Sequence, residues 1–129
     1  MKRLFVLLSV PVFSAQVFAA DWRYLSDDET MTIYYDTATV VRHRSTARLW
    51  ELTDFKAAQV VGTSVYLSTM NLWEYNCSER LINLLTGSAY SENMGMGVVV
   101  FTANYKTKDW AHVPPGSHSE EGLRIACGK

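Results

Sequence analysis

Arg42, His43, Arg44 and Arg48 crowd into seven positions of a chain that is otherwise slightly acidic, with 12 Lys+Arg against 13 Asp+Glu. Arg42 and Arg44 share parity, so an extended segment projects them to one side. Lys56 follows further along as a candidate neighbour. A local positive patch of this kind suits carboxylates, sulfated glycans or an acidic protein partner. The competing reading is a solvated hairpin end whose charges blunt a sheet edge.

Other groups with chemical potential are scattered. The three histidines, His43, His112 and His118, never fall at i,i+3 or i,i+4. A metal shared by His112 and His118 is conceivable, but metal sites usually show tighter ligand clusters. Asp27, Asp28 and Glu29 form an acidic run that reads as a solvated turn. A calcium loop would need more ligands and a glycine. Asp36 and Asp54 each touch an apolar strand and could in principle form an acid/base pair. No nucleophile elbow, zinc-protease helix or P-loop is present. These observations point away from an enzyme and assign no catalytic residue, cofactor or metal site.

Cys77 and Cys127 are the only cysteines, so one intramolecular pairing exists. Without a CxxC partner, neither reads as a redox or zinc ligand. A bond between them would close a loop of about 50 residues, worth roughly 4 kcal/mol in the chain-entropy picture.

The start of the chain bears on where such a bond forms. Met1-Lys-Arg3 is basic, Leu4 to Phe13 is a short apolar core, and Ser14 to Ala20 is small and mildly polar. That order predicts a secretory signal peptide over 1–19, cut after Ala19 or, second, after Ala20. The apolar run is shorter than the roughly 20 residues that span a bilayer. No cysteine follows it, so the reading gives no lipid anchor. The domain is then 20–129, in an oxidising compartment, periplasmic or secreted. Its net charge of about −3 argues against nucleic acid, and no polybasic run would hold it on an anionic membrane.

The elements that must position these groups are mostly strands. Period-two alternation with aromatic and β-branched residues marks Thr30–Asp36, Leu49–Thr53, Tyr66–Tyr75, Leu81–Leu85 and Gly97–Tyr105. Trp73, Tyr75 and Cys77 share a side. The intervening pieces read as turns: 26–29, 42–45, Thr86-Gly-Ser88 and 91–93. Met94-Gly-Met-Gly97 reads as a tight bend ahead of a buried strand, or as a flexible Met contact surface. Connections this short favour antiparallel neighbours. One helix is expected after Pro114-Pro-Gly116. Ser117 and Glu120 have capping-box spacing, Leu123, Ala126 and Cys127 share a face, and Gly128 closes it. The expected fold is α+β: a small antiparallel sheet of five to six strands with a C-terminal helix stapled to the Cys77 strand.

A series of small motifs runs along this frame: Tyr34-Tyr-Asp36, Arg48-Leu-Trp50, Asp54-Phe-Lys56, Glu74-Tyr-Asn-Cys77 and Tyr90-Ser91. Met94-Gly95, Gly97, Trp110, Pro115-Gly-Ser117, Glu121 and Cys127 follow. In their order they resemble the surface-adhesin protein E family across nearly the whole of 20–129. The resemblance implies the same sheet, helix and single disulfide. It also implies a non-enzymatic binding module for host matrix or serum proteins such as laminin, vitronectin and plasminogen, and the basic patch adds an acidic glycan as a candidate partner. The family adhesin is an outer-membrane lipoprotein, and the missing lipidation cysteine departs from it. The alternative reading is a soluble periplasmic envelope-assembly or structural factor that binds a partner of its own bacterium. The oligomeric state stays open, a homodimer included.

Overall fold

The computed structural model describes residues 20–129, so the expected signal peptide lies outside the described residues. The strands are β1 (Trp22–Asp27), β2 (Met31–Asp36), β3 (Val41–His43), β4 (Thr46–Val61), β5 (Ser64–Asn76), β6 (Leu81–Tyr90), β7 (Val99–Asn104) and β8 (Ala111–His112), followed by one helix, α1 (His118–Cys127). They form one antiparallel sheet in the order β1-β2-β4-β5-β6-β7, with β3 paired to β4 and β8 to β6.

The α+β class, the helix and the disulfide agree with the sequence reading, but the sheet has eight strands rather than five to six. Three were missed for physical reasons. β3 and β8 are three and two residues long, too short to show a period. β1 loses its alternation at a register shift between Tyr24 and Ser26. Thr86-Gly-Ser88 is no turn but the middle of β6. Gly87 stands there because a Cβ would sit 2.5 Å from Oδ1 of Asn71, its cross-strand partner.

The core lies where α1 crosses the sheet. Ala47 and Leu49 of β4, Tyr75 of β5, Val113, Leu123 and Ala126 are buried together, with Trp73, Cys77 and Ile82 packed around them. Alternation along β4 turns Ala47 and Leu49 toward the helix and Arg48, Trp50 and Leu52 to the other face. Ser117 accepts from the Glu120 N–H at 3.2 Å and so caps the helix. The Glu120 carboxylate reaches back one residue further than a capping box requires, to the Gly116 N–H at 3.1 Å. Gly128 ends the helix in the left-handed conformation. The Cys77–Cys127 bond joins Cα atoms 5.8 Å apart, within the usual range of roughly 4.4–6.8 Å.

The long β4–β5 hairpin continues beyond the helix. Its register slips between Asp54 and Gln59, and at that break the rings of Phe55 and Tyr66 meet edge to face at 5.7 Å. The 93–97 bend folds back on the sheet opposite the helix. Met94, Gly95 and Gly97 all have positive φ there. Asp54 accepts from Asn93 Nδ2 and the Met94 N–H, and Ser68 Oγ from the Gly95 N–H. The bend was legible in the sequence. The strand after it, β7, is not buried as expected but largely exposed.

Candidate binding surface

The basic residues singled out by the sequence do not form one patch. Arg42 lies on the helix side of the sheet and caps the end of α1, donating from Nε to the Ala126 carbonyl at 2.7 Å and from Nη2 to the Ile125 carbonyl at 3.3 Å. Arg48 lies on the opposite face, with Nε 3.1 Å from Glu74 Oε2. Lys56 stands eight residues along β4 from Arg48, about 26 Å by strand geometry. Its ammonium is held at the β1–β2 turn by the Asp28 carbonyl and the Asp27 carboxylate. Arg44 has φ +55° in the β3–β4 turn, and no side-chain bond or ion pair engages it among the described residues. Sequence spacing showed the crowding but could not show that the sheet plane passes between Arg42 and Arg48.

Glu74 explains why Arg48 is tied down. The residue is 3% exposed. Lys108 Nζ lies 2.8 Å from its Oε1, close but off-line for a hydrogen bond, and also sits 5.4 Å from the Trp110 ring centre. Burial alone would push this carboxyl up. Lys108 and Arg48 together outweigh that and hold it below the usual range.

The remaining candidates lie apart and do not converge on one site. Asp28 Oδ1 accepts from Thr30 and Met31, and those bonds, chiefly from Thr30, lower its pKa. Asp36 and Asp54 are not an acid/base pair. Asp54 faces Thr32 across the β2–β4 ladder, four positions along β2 from Asp36. His118 Nδ1 meets Ser26 Oγ at 2.5 Å, His112 pairs with Leu81 in the β6–β8 ladder, and His43 lies in β3. Among the described residues, no three His, Cys, Asp or Glu side chains gather into a metal-binding group.

Glu51 is a polar group the sequence reading overlooked. It is 9% exposed on the helix side of β4, and burial pushes its carboxyl up to about 7. The nearby Trp73 indole offsets this only in part, because its N–H makes no hydrogen bond of ordinary geometry. The Tyr75 hydroxyl is likewise buried without a partner among the described residues. Burial, and then the Glu51 charge, push that phenol up.

The open surface lies at the other end of the sheet. β7 pairs with β6 on one side and with nothing on the other among the described residues. It carries no charged side chain, and Val99 and Phe101 are 54% and 48% exposed. Tyr105, just past its end, is 52% exposed. Phe101, Ala103 and Tyr105 form one wall of a groove of about 160 Å³, and Val61 and Tyr66 of the hairpin tip line it too. An unpaired, uncharged edge offers a row of backbone donors and acceptors to another chain, and the groove beside it offers apolar area.

A small antiparallel sheet with one disulfide-stapled C-terminal helix is the class of domain these observations define. The model of the surface-adhesin protein E family matches residues 22–128. Crystal form II of Haemophilus influenzae protein E superposes with a TM-score of 0.66 at 14% identity, covering 93% of this chain and 97% of that one. A second structure of Haemophilus influenzae protein E gives 0.64 at 15% identity, over 94% and 91%. Protein E from non-typeable Haemophilus influenzae gives 0.60 at 15%, over 95% and 83%. No sequence match to a curated protein was found. The chain belongs to the surface-adhesin protein E family. At these identities the structural likeness establishes the fold.

Proposed function

We propose that the protein is an exported, non-enzymatic binding module that holds a protein partner on the free edge of β7 and in the groove beside it. The observation that carries this reading is the half-exposed row of Val99, Phe101 and Tyr105 on an uncharged edge strand. Edge strands that keep such side chains in water, with no charge to blunt them, are suited to strand addition and apolar docking. The adhesin family supports binding rather than catalysis. The disulfide and the N-terminal pattern support removal of 1–19 and a periplasmic or secreted life for 20–129. Among the described residues, no helix is long and apolar enough to cross a membrane.

The basic residues enter the proposal as rim charges for an acidic partner. Arg44 carries this role most directly. Arg42, Arg48 and Lys56 contribute only what their internal contacts leave exposed. Such charges speed association and lose effect in salt.

The test coats surfaces with laminin, vitronectin and plasminogen and measures binding of the exported protein and of its Phe101→Lys variant. The proposal expects saturable binding to at least one, lost in the variant. Binding to none of them, with a cell-envelope protein of the same bacterium captured instead, would favour an envelope-assembly role. Sedimentation of the protein alone then shows whether the β7 edge is taken by a second copy.

A further inference from the structure

The end of β2 holds a buried carboxylate that the binding proposal does not use. Asp36 is only 2% exposed. A charge so placed is normally paired with one of opposite sign. Oδ1 accepts from the Asp21 and Ala38 N–H groups at 3.0 and 2.9 Å, and Oδ2 from Thr39 Oγ1 at 2.7 Å. All three donors are neutral as long as the chain runs on through Ala20 and Ala19. No side-chain ion pair reaches Asp36 among the described residues. The strand register shows which part of the chain comes closest. Trp22 pairs with Asp36 in the β1–β2 ladder, so the residues just ahead of β1 are laid against the carboxylate. Ala20 and Asp36 accordingly line one cavity of about 240 Å³.

We propose that the α-ammonium group created by removal of the signal peptide is the missing counter-charge of Asp36. The inference rests on the proposed removal of 1–19 and adds what that cut does to the fold. A cut after Ala20 turns the Asp21 nitrogen itself, 3.0 Å from Oδ1, into the ammonium. A cut after Ala19 places the ammonium on Ala20, within about 4 Å of that nitrogen by covalent geometry. Either cut replaces neutral chain with a cation beside a carboxylate that is out of water, where the attraction is strong. The other charges facing the terminus belong to Asp21 and Arg23. Asp21 Oδ2 lies 3.2 Å from Arg23 Nη2 and accepts from Thr37 Oγ1 at 2.8 Å. Tyr90 is the further titratable residue in the cavity lining. In the uncut chain the same position is an amide, so the domain reaches full stability only after the leader is gone. Pairing holds the α-ammonium above its usual range of about 7.7–8.0. The pair therefore stabilises the fold below that range and is lost as pH rises through the raised value.

The experiment uses the exported protein purified from cells, and mass spectrometry first reads its starting residue. Ala20 or Asp21 is expected, and any other start overturns the processing reading and this inference together. With the expected start, two measurements test the ammonium alone. NMR titration of the α-amino group should place its pKa at least about one pH unit above the usual 7.7–8.0, and Asp36→Asn should return it to that range. Two glycines inserted between Ala19 and Ala20 carry the ammonium away by up to about 7 Å. That insertion should lower the melting temperature at about pH 6 by about 3 °C or more. In an Asp36→Asn background the same insertion should change it by less than about 1 °C. Should Asp36→Asn fail to fold, the titration of the unmodified terminus and the insertion alone decide the question. An ordinary α-amino pKa in a correctly processed protein, or an insertion that leaves the melt unchanged, would overturn the proposal and leave the processing reading standing.

Discussion

The end of the sheet beneath α1 and the end that carries the β4–β5 hairpin tip and β7 follow opposite rules. At the first end the core is closed and Arg42 and Arg48 are tied down. The polar groups left without partners, the Glu51 carboxyl and the Tyr75 hydroxyl, are buried rather than open to a ligand. Leu49 and Tyr75 are buried against the helix, Arg42 caps the helix, and Arg48 and Lys108 neutralise Glu74. A disulfide closes the arrangement. At the second end Val61, Phe101 and Tyr105 stand partly in water around a groove, on a strand with one edge unpaired. The difference separates stability from interaction. Substitutions at the stapled end should change stability, whereas those at the open end should leave the protein folded and cost it its partner.

The largest effect that could break this division is loss of the staple. Cys77→Ser with Cys127→Ser should destabilise by about 2–5 kcal/mol in urea melts, the usual cost for a small secreted domain. A loss below about 1 kcal/mol would mean the helix holds the sheet without its staple.

The second prediction concerns pH at the same end. The Glu51 carboxyl ionises at about 7 in the fold but near 4.5 when unfolded. Its raised value means the folded state favours the neutral acid. Stability is therefore full below about pH 4.5 and falls as pH rises through 7. The loss reaches about 3 kcal/mol above that range. Glu51→Gln, which cannot ionise, should be more stable than wild type by about that amount at pH 8.5 and equal to it at pH 4. Thermal melts across that window read both the sign and the size.

Gly122 sharpens the comparison further. It sits within α1, where alanine would normally gain about 1 kcal/mol. Here a Cβ would lie 2.3 Å from the Tyr75 hydroxyl. Gly122→Ala should therefore destabilise, by about 1–2 kcal/mol net. Adding Tyr75→Phe removes an unpartnered hydroxyl and makes room, so the double variant should recover the loss.

The arginines divide along the same line. Arg48→Met leaves Glu74 with Lys108 alone and should cost about 1–2 kcal/mol. Arg44→Ser should stay within about 0.5 kcal/mol of wild type. Equal effects for the two would contradict their different surroundings.

How much of this the sequence disclosed follows from the range of each signal. The disulfide was legible because two cysteines allow one pairing, and the helix because its cap, apolar face and terminal glycine are local. The long strands announced themselves by period. What the sequence withheld depends on register. Val99, Phe101 and Ala103 alternate as they would in a buried strand, so nothing local shows that β7 lies at an edge. Gly87 looked like a turn residue until Asn71 was found opposite it. The arginine cluster looked continuous because spacing along the chain does not show which faces Arg42 and Arg48 take once β3 pairs with β4.

The smallest expected change in stability tests the central claim most directly. Phe101→Lys and wild type should be melted side by side and titrated onto the same coated laminin, vitronectin and plasminogen. The account predicts melts that agree within about 0.5 kcal/mol and binding at least about tenfold weaker in the variant, the scale of a lost aromatic anchor. A folded variant that binds as wild type does, or a wild-type protein that binds none of the three, would contradict it.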